Sequence, residues 1–144
     1  MAMTNKARSL VKLSDSDLEL ADRAEDIRGR KVLDKNGDEI GHVDDLFVDE
    51  TASKVRFLQV AAGGFLGLGE KKFLVPVDAI TRIDDQHVHI DQTRQRVMGA
   101  PEYNPTLEEK DDNDYWSGLY GYYGYTPYWG PGYTYPPYPY YRLP

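Results

Sequence analysis

The chain has 144 residues, 17 Lys plus Arg against 24 Asp plus Glu, a formal net charge of −7, 40% hydrophobic residues and no cysteine. That length holds one domain of ordinary size with tails, no stretch reaches the ~18 consecutive apolar residues of a membrane span, and Met1–Leu13 lacks the apolar segment of a secretory signal. The missing thiols exclude disulfides, Cys-ligated metal centres and a thiol nucleophile, and the acidic balance argues against direct nucleic-acid binding; a cytoplasmic protein is expected.

Residues 1–25 read as an N-terminal arm. Ser14 and Asp17 have the spacing of a capping box, with Ser16 a rival cap, and Leu18, Ala21 and Ala24 then share a face. A short helix is expected there, stable only if it docks.

Short strands follow. Lys31–Asp34 leads into Asn36-Gly37 and then Glu39–Val43, and Asn-Gly between two apolar-containing runs is a strong hairpin signal because both residues tolerate positive φ. The second strand continues through Leu46-Phe47-Val48, and Asp44-Asp45 breaks its alternation, which predicts a bulge. Lys54 to Ala62 alternates Val55, Phe57 and Gln59 against Arg56, Leu58 and Val60, as a strand apolar on both faces in a curled sheet. A glycine-rich connection, Gly63 to Gly69, carries Phe65, Leu66 and Leu68. Phe73–Val77 is the next strand, and Pro76 places it at an edge or bulge. Thr81-Arg82-Ile83 and Val88-His89-Ile90 complete six short strands, and Thr93 to Met98 forms a closing helical turn before Gly99 and Pro101.

These motifs, in order and spacing, resemble the PRC-barrel family: Gly29-Arg30-Lys31-Val32, Ile40-Gly41-x-Val43, Leu46-x-Val48-Asp49, Gly63-Gly64-Phe65-Leu66-Gly67-Leu68-Gly69-Glu70-Lys71, Val75-Pro76 and Ala100-Pro101-x-Tyr103. The resemblance spans residues 26–104 and implies an all-β fold, a small six-stranded barrel. Relatives include the cytoplasmic domain of the photosynthetic reaction centre H subunit and the C-terminal barrel of a bacterial ribosome maturation factor. Each docks on a larger assembly, and no catalytic motif is available to carry over. Here nothing resembling the first relative's membrane helix or the second's additional barrel precedes the matching segment.

The chemistry-bearing residues are few. His87 and His89 lie at i and i+2, so strand geometry puts Asp85, His87, His89 and Asp91 on one face; they are the weak metal candidates, against a plain solvated outer face. Asp34–Glu39 superficially resembles a calcium loop, yet Glu39 stands where that loop needs glycine. Gly63–Gly69 precedes a strand, whereas a phosphate cradle opens a helix. Its Phe65, Leu66 and Leu68 either plug one end of the barrel or meet a partner. Five serines lie in polar segments with no recognisable base, and the pairs Asp44-Asp45 and Asp84-Asp85 sit at turns where solvated charge is the default. No enzyme and no cofactor are expected.

Eleven of the twelve Tyr and both Trp lie between Tyr115 and Tyr141. An acidic linker, 105–114, leads into this Tyr-, Gly- and Pro-rich tail, 115–144, whose composition predicts a largely disordered segment. Its Trp116, Tyr122, Tyr125 and Trp129 supply stiff amphipathic area for a protein partner or self-association. The expected function is a non-enzymatic interaction or scaffold module. The alternatives are a soluble accessory of photosynthetic or membrane electron transfer and an RNA-processing or ribosome-assembly accessory.

Overall fold

The computed structural model describes residues 10–15, 26–49, 54–62, 69–101 and 112–136. Among them are seven strands: β1 (Leu10–Lys12), β2 (Lys31–Leu33), β3 (Glu39–Asp49), β4 (Lys54–Ala62), β5 (Lys71–Pro76), β6 (Ile80–Ile83) and β7 (His87–Ile90). Two helices follow, α1 (Arg94–Met98) and α2 (Asp112–Tyr123).

The strands form one sheet in the order β5-β4-β3-β2-β7-β6, with β1 added beside β3. The end strands β5 and β6 are joined through the 3-10 turn Val77–Ala79, so the sheet curls until its two edges meet in the chain. Pro76 therefore ends an edge strand, the setting in which a residue without an N–H is tolerated. Strand β3 organises the rest. Its first half pairs with β2 and its second half with β1 on that side, while β4 runs antiparallel along the other. Among the described residues the only parallel pairing is β2 with β7, which sets Lys31 beside His87 and Leu33 beside His89.

Local sequence accounts for the turns. Gly37 adopts φ +87° in the β2–β3 hairpin. Asp34, 3% exposed, accepts the backbone N–H groups of Asn36 (2.8 Å), Asp38 (2.9 Å) and Arg94 (2.8 Å), tying that hairpin to the start of α1. That carboxylate serves the backbone. Thr93 caps α1 by accepting the N–H of Arg96 at 3.1 Å. The bulge falls where the acidic pair predicts it, with Val43 opposite Val60 and Asp45 opposite Gln59. It sends the two carboxylates to different partners. Asp44 accepts from Gln59 Nε2 (2.6 Å) and Lys72 Nζ (3.0 Å), whereas Asp45, 5% exposed, accepts the N–H groups of Leu46 (2.9 Å) and Ser14 (3.3 Å) and the Ser14 hydroxyl. Asp45 is thus a buried structural acceptor, unlike the solvated charge expected of that pair.

Three expectations change. The sheet has seven strands where six were expected, because residues 10–12 of the arm form β1. Within that arm the expected helix over Ser14–Ala24 lies mostly outside the described residues; Leu13–Asp15 form a single 3-10 turn. The tail, expected to be largely disordered, contributes α2, which begins inside the expected linker and lays Trp116, Leu119, Tyr120 and Tyr123 into the core. Gly118 and Gly121 weaken a helix in isolation, but tertiary burial decides here. The four core residues recur at i, i+3, i+4 and i+7, one apolar stripe. The helix ends where Gly124 and Tyr125 both donate N–H to the Tyr120 carbonyl, at 2.9 Å each.

Candidate functional site

Two places concentrate chemistry. The first is the outer surface of the β6–β7 hairpin. Strand alternation buries Val88 (0% exposed) and Ile90 (1%) and turns His87 and His89 outward, half-buried. Asp84 opens the turn. Its Oδ1 accepts the N–H of Gln86 (2.9 Å) and of His87 (2.8 Å), fixing the carboxylate. That fixed group then meets both imidazoles, Oδ1 to His87 Nδ1 at 3.2 Å and Oδ2 to His89 Nε2 at 3.4 Å. The Gln86 N–H is the main influence holding its pKa down to about 2; burial opposes it, and His87 and His89 add to the lowering. Asp85 and Asp91, expected on this face, are exposed; Asp91 lies 3.9 Å from Lys35 Nζ.

The second place is the segment after α2, a strap over residues 125–136 laid against the barrel. Tyr125 accepts from Gln92 Nε2 at 2.7 Å, and the Tyr135 hydroxyl donates to the Val55 carbonyl at 3.0 Å. Between these anchors the guanidinium of Arg56 lies 4.2 Å from the Tyr128 ring centre, 5.3 Å from that of Tyr135 and 5.9 Å from that of Tyr133. Arg56 and Asp49 form an ion pair at 3.2 Å, with side chains 8% and 6% exposed. Nearby, burial raises the Asp78 carboxyl, opposed in part by the positive charge of Arg56. Burial also raises the Tyr120, Tyr123 and Tyr133 hydroxyls well above the ordinary phenol. At these positions tyrosine stays neutral and packs.

Residues 20–97, just over half of the chain, match the family model of the PRC-barrel domain. The chain belongs to the PRC-barrel family. An uncharacterized protein of Deinococcus radiodurans is 36% identical over 76 residues, 52% of this chain. Those residues span only 27% of that relative's own length. Among the described residues of this PRC-barrel protein, no helix is long and apolar enough to cross a membrane.

The barrel and its strap distribute the expected contact residues unequally. Trp116 is 1% exposed and lies against Phe47 and Phe57, so its indole is committed to the barrel's own core and unavailable on the surface. Tyr122 is half-buried under Arg96 and donates its hydroxyl to the Arg96 carbonyl at 2.6 Å. Tyr125 and Trp129 are half-buried on the strap, Trp129 edge-on to Tyr120 at 5.7 Å. Phe65, Leu66 and Leu68 lie outside the described residues. Sequence reasoning missed Asp84, Arg56 and the strap's register. Asp84 lies outside strand alternation, and its convergence with the imidazoles depends on the turn folding its carboxylate back.

Proposed function

We propose that this PRC-barrel protein is a non-enzymatic interaction module whose contact surface is the aromatic strap over residues 125–136. The observation that supports this reading is the half-buried row of Tyr125, Tyr128, Trp129, Tyr133 and Tyr135, anchored to the barrel through Gln92, Arg56 and Val55. Tyrosine and tryptophan supply large contact areas with few rotors to freeze, and anchoring has already removed much of the ordering cost a free tail would meet on binding. The partner is a protein, or a second copy of this chain. Neither the family match nor the relative favours an electron-transfer or ribosome-assembly role.

The test compares the full-length protein with a Tyr125→Ala/Trp129→Ala double variant as bait in native lysate, alongside sedimentation of each protein alone. A defined complex or dimer formed by the natural chain and lost in the folded double variant supports the reading. Equal association by both overturns it and moves the contact to Phe65–Leu68.

A further inference from the structure

We propose that Asp84, His87 and His89 form a site for a single divalent transition-metal ion of the zinc type, on the outer face of the β6–β7 hairpin. One donor atom from each residue can be chosen so that all lie within 4.8 Å of one another. With metal–ligand bonds of ~2.1 Å, tetrahedral coordination places neighbouring donors about 3.4 Å apart. Asp84 Oδ1 to His87 Nδ1 is 3.2 Å, and Asp84 Oδ2 to His89 Nε2 is 3.4 Å. These contacts use the two different oxygens of one carboxylate, so each imidazole already stands at ligand spacing from Asp84, and side-chain rotation must draw the full set from within 4.8 Å to about 3.4 Å around an ion.

Preorganisation adds to this. The two backbone N–H groups of Gln86 and His87 hold the Asp84 carboxylate, the outer-sphere support that orients a ligating carboxylate. Pairing of β7 with both β2 and β6 holds the imidazoles on a rigid strand. Two imidazoles and one carboxylate suit zinc and its neighbours; magnesium and calcium prefer oxygen. Three protein donors leave a fourth position for water or for a side chain of another molecule. Two cations moderate the affinity. Arg82 Nη2 lies 3.9 Å from Asp84 Oδ2, and Arg30 donates to the Asp84 carbonyl at 2.8 Å. Arg82, its side chain 47% exposed, is free to swing into solvent when an ion enters.

Titration calorimetry of the full chain with zinc chloride at neutral pH tests the proposal. Expected is saturable binding of one ion, weakened at least about tenfold in both His87→Ala and His89→Ala, and tightened in Arg82→Ala. Because both imidazoles face outward, the variants are checked for unchanged thermal unfolding. A second measurement needs no variant: cobalt(II) at one equivalent is expected to give the intense visible bands of four-coordinate geometry. Absence of saturable binding overturns the proposal, as does binding that survives loss of either imidazole. A cobalt spectrum no different from the hydrated ion also overturns it.

Discussion

The indole of Trp116 lies 5.0 Å from the ring of Phe57, tilted at 44°. Phe57 is paired across the sheet with Phe47, whose ring lies 5.6 Å from the same indole. A residue from the C-terminal segment therefore completes the core built by two central strands. Trp116→Ala is expected to lower the unfolding free energy by about 3–5 kcal/mol, the usual result of emptying a buried aromatic site. Urea denaturation measures it. A loss below about 1 kcal/mol would mean that the helix rests on the barrel without belonging to it.

Arg56 couples the strap to β4. Removing its guanidinium takes the cation from the buried Asp49 carboxylate and the flat platform from under Tyr128. Arg56→Ala is expected to destabilise by about 3 kcal/mol and to red-shift tryptophan emission as the strap loosens. Arg56→Lys keeps the charge and loses the planar stacking, so it falls between the two. A lysine variant as stable as the natural chain would show that the aromatic contacts contribute nothing.

Gly41 on β3 pairs with Ala62 of β4. A Cβ built there would stand 1.9 Å from the Ala61 carbonyl oxygen, a backbone atom that cannot give way without opening the pairing. Gly41→Ala is expected to cost about 3 kcal/mol or more, at the upper end of overpacking effects. Gly118→Ala, with open space around its Cβ, is the control and should stabilise α2 by about 0.5–1 kcal/mol. Equal stability of the two variants would contradict the register of β3 on β4.

Asp84 sets an acid limb. Its folded pKa is about 2 against an ordinary 3.8, so its ionised form stabilises the fold at neutral pH. That contribution is fully present above about pH 4 and is lost as pH falls through about 2. Asp84→Asn keeps an oxygen for the Gln86 and His87 N–H groups but carries no charge. The stability gap between the natural chain and this variant should therefore narrow over that interval. A gap independent of pH would show that the carboxylate's charge plays no part.

The parts of this architecture that local chemistry dictates were readable in the sequence. Asn36-Gly37 announced the hairpin, Asp44-Asp45 the bulge, and the doubly apolar run Val55–Val60 a strand buried on both faces. What covers one of those faces was not readable from composition. Tyrosine, glycine and proline in the tail argue against a helix on propensity, and propensity lost to burial. The signal was nonetheless present in the spacing of Trp116, Leu119, Tyr120 and Tyr123. Strand β1 is three residues long, too short for any period to show, and its partner Asp49 is a distant residue. For the histidines, strand parity found the shared face of His87 and His89, but it selected Asp85 where the turn supplies Asp84.

The aromatic segment is part of the barrel's fold, and its outer side is the contact surface we propose. Amide hydrogen exchange over residues 112–123 of the full-length protein tests the first of these most directly. Protection close to that of β3 and β4, released only by global unfolding, is the expected result. Exchange of Trp116 to Tyr123 at unstructured-chain rates, with β3 and β4 still protected, would contradict it.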